Sequence, residues 1–300
     1  MTGVQTCALP IYGGYIMGAR IRSIVLLGLL SVLLIYIGSL FGTDGIIVAF
    51  IFALAMNLIS YFAGDKIALA MNSAVKVPEN QMPELHSLVS EVAMSAGVPK
   101  PEVYIVPSKS PNAFATGRDP KHASIAFTEG ILDILDREEL KGVIAHEMSH
   151  IKNRDILVAT IAATLASAIT MIGRMLQFAA MFGGGGRDSD RGGNILSVIA
   201  MLLFAILLPI AAMLIQLAIS RNREYLADET GARITQNPYG LANALRKLVK
   251  GTSVIPMNNA NPSTSHLFIV NPFSAKSFFA LFSTHPPIEE RIKRLESMSF

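Results

Sequence analysis

The chain has 300 residues, 51% of them apolar and only 16% charged, with a formal net charge of +3. Globular proteins usually carry about a quarter charged residues, so this composition points to lipid contact. The small, dispersed charge shows no basic stripe, and the "GGGG" run lacks the Lys-Ser/Thr of a phosphate loop, which excludes nucleic-acid and nucleotide binding.

Residues 1–19 stand apart from the rest. "MTGVQTCALPI" resembles the translation of a sequencing-library adapter, so 1–19 are read as an artefact or a disordered tail. This stretch holds the single cysteine, Cys7, which leaves no disulfide framework and suits a catalytic part in a reducing compartment. Residues 20–64 then read as a transmembrane hairpin with spans at about 24–41 and 45–64 joined by "GTDG", each uncharged and close to the roughly 20 residues a bilayer needs.

Residues 65–155 form a first soluble segment. "ENQMPELHSLVSEVAMSAG" has helical period and ends on Gly97; "EVYIV" and "ASIAFT" read as short strands separated by the loop "PSKSPNAFATGRDPKH". Asp136 and Glu139 are placed to cap the next helix reciprocally. Finding no Gly or Pro between His146 and Ile156, we expect that helix to run unbroken into a third span. Residues 156–220 give a second hairpin, with spans at about 156–182 and 195–220, and residues 221–300 a second soluble segment ending in the helical "THPPIEERIKRLESM". Lys and Arg gather beside one end of every span, at Arg20, Arg22, Lys66, Lys152, Arg154, Arg221 and Arg223. That bias predicts a multi-pass cell (inner) membrane protein with both termini and residues 65–155 in the cytoplasm.

The chemistry lies where the first soluble segment meets the third span. His146-Glu147-Met148-Ser149-His150 spaces two imidazoles by one helical turn, on one face, where both can bind one Zn²⁺ while Glu147 acts on water. A catalytic zinc needs a third protein ligand, and Glu224 in "RNREYLAD" is the best candidate. Asp228, four residues on, shares its face and could orient a ligand His. A surface helix with ion pairs to Arg221 and Arg223 is the competing reading of these acids. His86, His122 and His266 fit structural positions better than ligand positions.

"AHEMSHIKNRD", "SRNREYLAD", "PNAFATG" and "FSTHPP", set among the spans, resemble the HtpX membrane metalloprotease family, a relative of the CAAX prenyl proteases. The resemblance runs from about Arg20 to the C-terminus. It implies a mainly α membrane protein with four transmembrane helices and a cytoplasmic zincin-like α+β catalytic domain assembled from two segments. It implies one zinc per chain held by His146, His150 and Glu224, with Glu147 as catalytic base. It further implies stress-linked endopeptidase action on misfolded or damaged membrane proteins. His285 in "THPP" would stabilise the oxyanion, or else simply neighbour a helix start. Asn112 and Ala113 would bind substrate backbone, or else form an ordinary turn. The alternatives are a CAAX-type or other membrane zinc hydrolase, or an inactive metal-binding membrane protein.

Overall fold

In the computed structural model, the described residues are 42–182, 221–257, 261–272, 286–299 and most positions from 21 to 39. The expected tail 1–19, the fourth span at 195–220, the glycine-rich loop and His285 lie outside them.

An apolar helix α1 over Ser23–Tyr36 is followed by α2, Gly42–Met71. Gly42 turns the chain between them at φ 78, a left-handed angle natural only to glycine. A Cβ on Gly38 would come within 2.5 Å of the Gly45 carbonyl, so the two helices touch backbone to backbone. Farther along, the Asn57 side-chain amide donates to Ser31 Oγ at 2.9 Å. The helix does not begin at Gly45 or end at Gly64, as expected, but takes in "GTD" and runs on to Met71. Its 30 residues and its exposed Phe50, Ile51 and Phe62 make it long and apolar enough to cross a membrane.

The soluble part pairs a sheet with helices. Strands β1 (Val75–Lys76), β2 (Glu102–Val106), β3 (Ala113–Asp119) and β4 (His122–Thr128) lie in the order β1-β2-β4-β3. The expected strands are β2 and β4, which run parallel. The expected loop between them is corrected: its centre is β3, an edge strand antiparallel to β4. Small residues hid it, because Ala113, Ala115 and Gly117 are poor strand formers that pairing and burial hold extended. Helix α3 (Pro83–Ala96) closes on Gly97, in the left-handed conformation as its sequence implies.

After the short α4 (Glu129–Ile134), α5 spans Arg137–Lys152 behind the expected reciprocal cap: Glu139 N–H donates to Asp136 Oδ1, and Asp136 N–H to Glu139 Oε2. Val143, Ile144 and Met148 of α5 join Val89, Ile125, Phe127 and Leu245 in the main core. Helix α6 covers Asp155–Phe182, α7 Arg221–Thr235, α8 Pro238–Val254 and α9 Ile288–Glu296; a short 3-10 turn occupies Pro262–Leu267.

The metal-motif helix does not continue into the apolar one. Helices α5 and α6 meet at 86°, and the expectation of a single unbroken rod is overturned. Asn153 ends α5 by donating its N–H to Ser149 O, and Arg154 then adopts φ 60. A left-handed non-glycine residue costs on the order of 1–3 kcal/mol and persists only where its surroundings impose it. Helix α6 then packs on both α2 and the sheet. Thr160 Oγ1 accepts from Gly117 N–H at 3.1 Å and bonds Thr116 Oγ1 at 2.8 Å, while Gly64 of α2 lies against its methyl.

Two glycines let helices approach α5 closely. A Cβ on Gly142 would sit 2.6 Å from Leu241 N of α8, and one on Gly231 of α7 would sit 3.0 Å from His146 N. The first contact is backbone on backbone and cannot yield by a rotamer change. Gly142→Val should therefore lower stability by about 1–3 kcal/mol, the usual cost of overpacking, read as a fall in the thermal unfolding midpoint in detergent.

Candidate metal centre

Helix α5 presents His146 and His150 on its inner face, and α7 brings Glu224 and Asp228 to them across the Gly231 contact. His146 Nε2 and His150 Nε2 are 3.2 Å apart. Glu224 Oε2 lies 3.8 Å from the first and Glu224 Oε1 3.6 Å from the second. Among the described residues this is the group whose donor atoms all fall within 4.8 Å of one another. Two nitrogens on a tetrahedral zinc, each at about 2.0–2.1 Å, stand about 3.3–3.4 Å apart, so the imidazole pair already has the spacing the ion requires. Two neutral nitrogens and one carboxylate are also the donor types of a catalytic zinc site with an open position. The three residues fit the ion.

Each imidazole turns its other nitrogen to a carboxylate. His146 Nδ1 is 3.0 Å from Asp228 Oδ1, and His150 Nδ1 is 3.5 Å from Asp155 Oδ2. Asp228 is gripped in turn by Arg291, whose Nε donates to Oδ2 at 2.8 Å and Nη2 to Oδ1 at 2.7 Å. Arg291 also donates to Ile269 O at 3.1 Å, and Arg291 Nη1 is 3.7 Å from Glu224 Oε2.

The electrostatics follow from depth. Burial lowers the His146 pKa to about 4, against the pull of Asp228, and so keeps the imidazole neutral and able to ligate. Burial also works to lower His150, but Asp155, Glu224 and Glu147 outweigh it and raise that group to about 9 in the absence of a cation. Burial raises Glu147 to about 7, and the Ala115 backbone supplies it a hydrogen bond. Asp228 resists ionisation by burial, yet the Arg291 guanidinium overcomes this and holds the carboxyl below its usual range.

Glu147 lines the same cleft as His146, His150, Glu224 and Ala115, as the motif implies. Asn112 and Ala113 are placed differently from expectation. Both are fully buried and engaged by the chain itself: Asn112 Nδ2 donates to Val270 O at 2.7 Å, Val270 N–H returns to Oδ1 at 3.3 Å, and Ala113 O accepts from Ile269 N–H at 3.0 Å. The part of the edge strand that reaches the cleft is Ala115, one pleat along. His86 and His122 are structural, bonding Val77 O at 2.9 Å and Asp119 at 2.9 Å. His266 lines the cleft with Nε2 3.1 Å from Ala159 O.

Sequence reasoning missed Arg291, Asp155 and Arg223. Arg291 carried a signal: Ile288, Ile292 and Leu295 make an apolar stripe on α9, and Arg291 sits within it. An arginine on the buried face of a short helix needs a buried acid.

Residues 79–299 match the pattern of peptidase family M48. The chain is 54% identical over 285 residues to a protein named protease HtpX homolog from Syntrophobacter fumaroxidans, covering 94% of this chain and 100% of that one. It is 53% identical to a protease HtpX homolog from Pyrococcus furiosus, covering 94% and 96%. A crystal structure of S. mikatae Ste24p is similar at 21% identity and a TM-score of 0.48, over 95% of this chain and 67% of that one.

Removing the guanidinium while keeping its bulk strands Asp228 as an uncompensated buried charge. Arg291→Met should destabilise the fold by about 3–5 kcal/mol, measured by thermal unfolding of the metal-free protein. Arg291→Lys should recover only part of this, because an ammonium lacks the two-pronged geometry.

Proposed function

The chain belongs to peptidase family M48, and on that premise we propose that this membrane metalloprotease is a zinc endopeptidase that cuts misfolded or damaged membrane proteins from the cytoplasmic side. The observation that carries the reading is the imidazole pair at 3.2 Å, closed by Glu224 and bordered by a buried Glu147.

In this reading His146, His150 and Glu224 hold the ion, and Asp228 keeps the His146 ring in one orientation through its Nδ1. When bound, the ion would supply Lewis-acid polarisation of the scissile carbonyl and a lowered pKa for water at that place. Glu147 accepts the proton from the attacking water and passes it to the leaving amine. Its burial favours the protonated form that the carboxylate reaches once it has taken the proton of the water. The edge of β3 at Ala115 offers backbone groups to an extended substrate. His285 is the candidate donor to the oxyanion.

The membrane side of the proposal is a four-span protein with the sheet and the metal centre in the cytoplasm. Helix α2 supports it by its length and apolar surface, as does the charge bias at the span ends. Substrates would be cytoplasmic loops and unwound ends of membrane proteins, reached by a site whose flanking helices are lipid-embedded.

Two variants divide ligation from proton transfer. Glu147→Gln should keep about one zinc per chain and lose cleavage of an unfolded test protein, with kcat down about 10²–10⁴-fold. Glu224→Ala should lose both the metal and the cleavage. Cleavage at the parental rate by Glu147→Gln would defeat the assigned base, and parental zinc content in Glu224→Ala would defeat the third ligand. Chelation of the parent should abolish cutting and zinc should restore it.

A further inference from the structure

The two imidazoles are supported by matching sets of side chains drawn from different parts of the chain. On one side stands His146 Nδ1, then Asp228 at 3.0 Å, then Arg291. On the other, His150 Nδ1 lies 3.5 Å from Asp155 Oδ2, and Asp155 Oδ1 lies 3.5 Å from Arg223 Nη1. Asp155 and Arg223 are 9% and 7% exposed, too deep to be an incidental surface pair.

Helix geometry makes the second set informative. Had α5 continued, residue 155 would lie five positions after residue 150 and about 140° around the axis, facing away from the imidazole. The break at Asn153 and Arg154 brings the Asp155 carboxylate back to Nδ1. A strained residue and an 86° bend thus leave an acid against the free nitrogen of His150. Arg223, which meets the other oxygen of that acid, directly precedes Glu224.

We propose that Asp155, the first residue of α6, is the positioning carboxylate of His150, faced by Arg223 through one contact at 3.5 Å where Asp228 has two shorter ones from Arg291. The inference rests on the reading of His150 as a zinc ligand. A ligand histidine that coordinates through Nε2 carries its proton on Nδ1, and an acceptor there fixes the tautomer, the ring plane and the basicity of the ligand. Both acids of this kind, Asp228 and Asp155, are needed if the ring pair is to keep its spacing when the ion leaves and returns.

The test uses the full chain in detergent, with zinc affinity measured by competition against a chromophoric chelator and ligand geometry by the absorption spectrum of the Co²⁺ form. Asp155→Asn and Asp155→Ser both keep a side chain able to cap the start of α6. Each should weaken zinc binding by about 10–100-fold and alter the cobalt spectrum. The metal-free unfolding midpoint should also fall, because Arg223 loses a buried partner, and removing both charges in Arg223→Met with Asp155→Asn should recover that midpoint without recovering the affinity. Asp155→Glu should recover part of the affinity. Arg223→Met should weaken binding less, and combined with Asp155→Asn should add less than its own effect. Parental affinity and spectrum in Asp155→Asn would overturn the proposal, as would affinity returning together with stability in the double variant. The underlying reading fails separately: His150→Ala binding zinc like the parent would remove His150 as a ligand, whatever Asp155 does.

Discussion

Arg291 carries its charge to a place that solvent does not reach, and the two-pronged grip of Asp228 makes that position tenable. A lone buried ion costs several kcal/mol, and a well-matched pair offsets most of that cost. The pair does more than survive. Its carboxylate faces His146 Nδ1, and its guanidinium also takes the Ile269 carbonyl, so the last helix, the 266–270 segment and the ligand-bearing helix are fixed to one another through a single side chain. Two effects meet at His146 itself: burial favours the neutral ring, and the acid beside it orients that ring.

Such a centre needs helices closer together than side chains normally permit. Gly231 against the backbone of His146, and Gly142 against that of Leu241, supply the closeness. The Gly231 contact sets the distance at which the acids of α7 face the imidazoles. The donor set is therefore a product of helix packing, and the two glycines matter to the chemistry although neither touches it.

Much of this was legible in the residues. The pairing of His146 with His150 follows from helical period alone, and the approach of Glu224 and Asp228 from their four-residue spacing and the need for a third ligand. The reciprocal cap at Asp136 and Glu139 and the glycine stop at Gly97 were readable because each is a local interaction. What escaped was non-local. Strand β3 is built of small residues whose extended form comes from pairing with β4. The break after Lys152 contains no glycine or proline, and a non-glycine residue, Arg154, takes the left-handed angle there. Asn112 looked like a residue waiting for a substrate, yet it satisfies the backbone of Val270, 158 positions away.

Thr160 carries a consequence for how much of this protein can stand alone. It sits early in a helix whose later turns are apolar, and it answers both the Gly117 amide and the Thr116 hydroxyl of the edge strand, all of them sealed from water. A shortened version without α6 would break both contacts and open this part of the edge strand to water. It would also uncover Phe114 and Phe268, which share one apolar cluster with Ala159 and Ala163 of α6. The catalytic portion is thus not separable from α6; that helix is one of its walls.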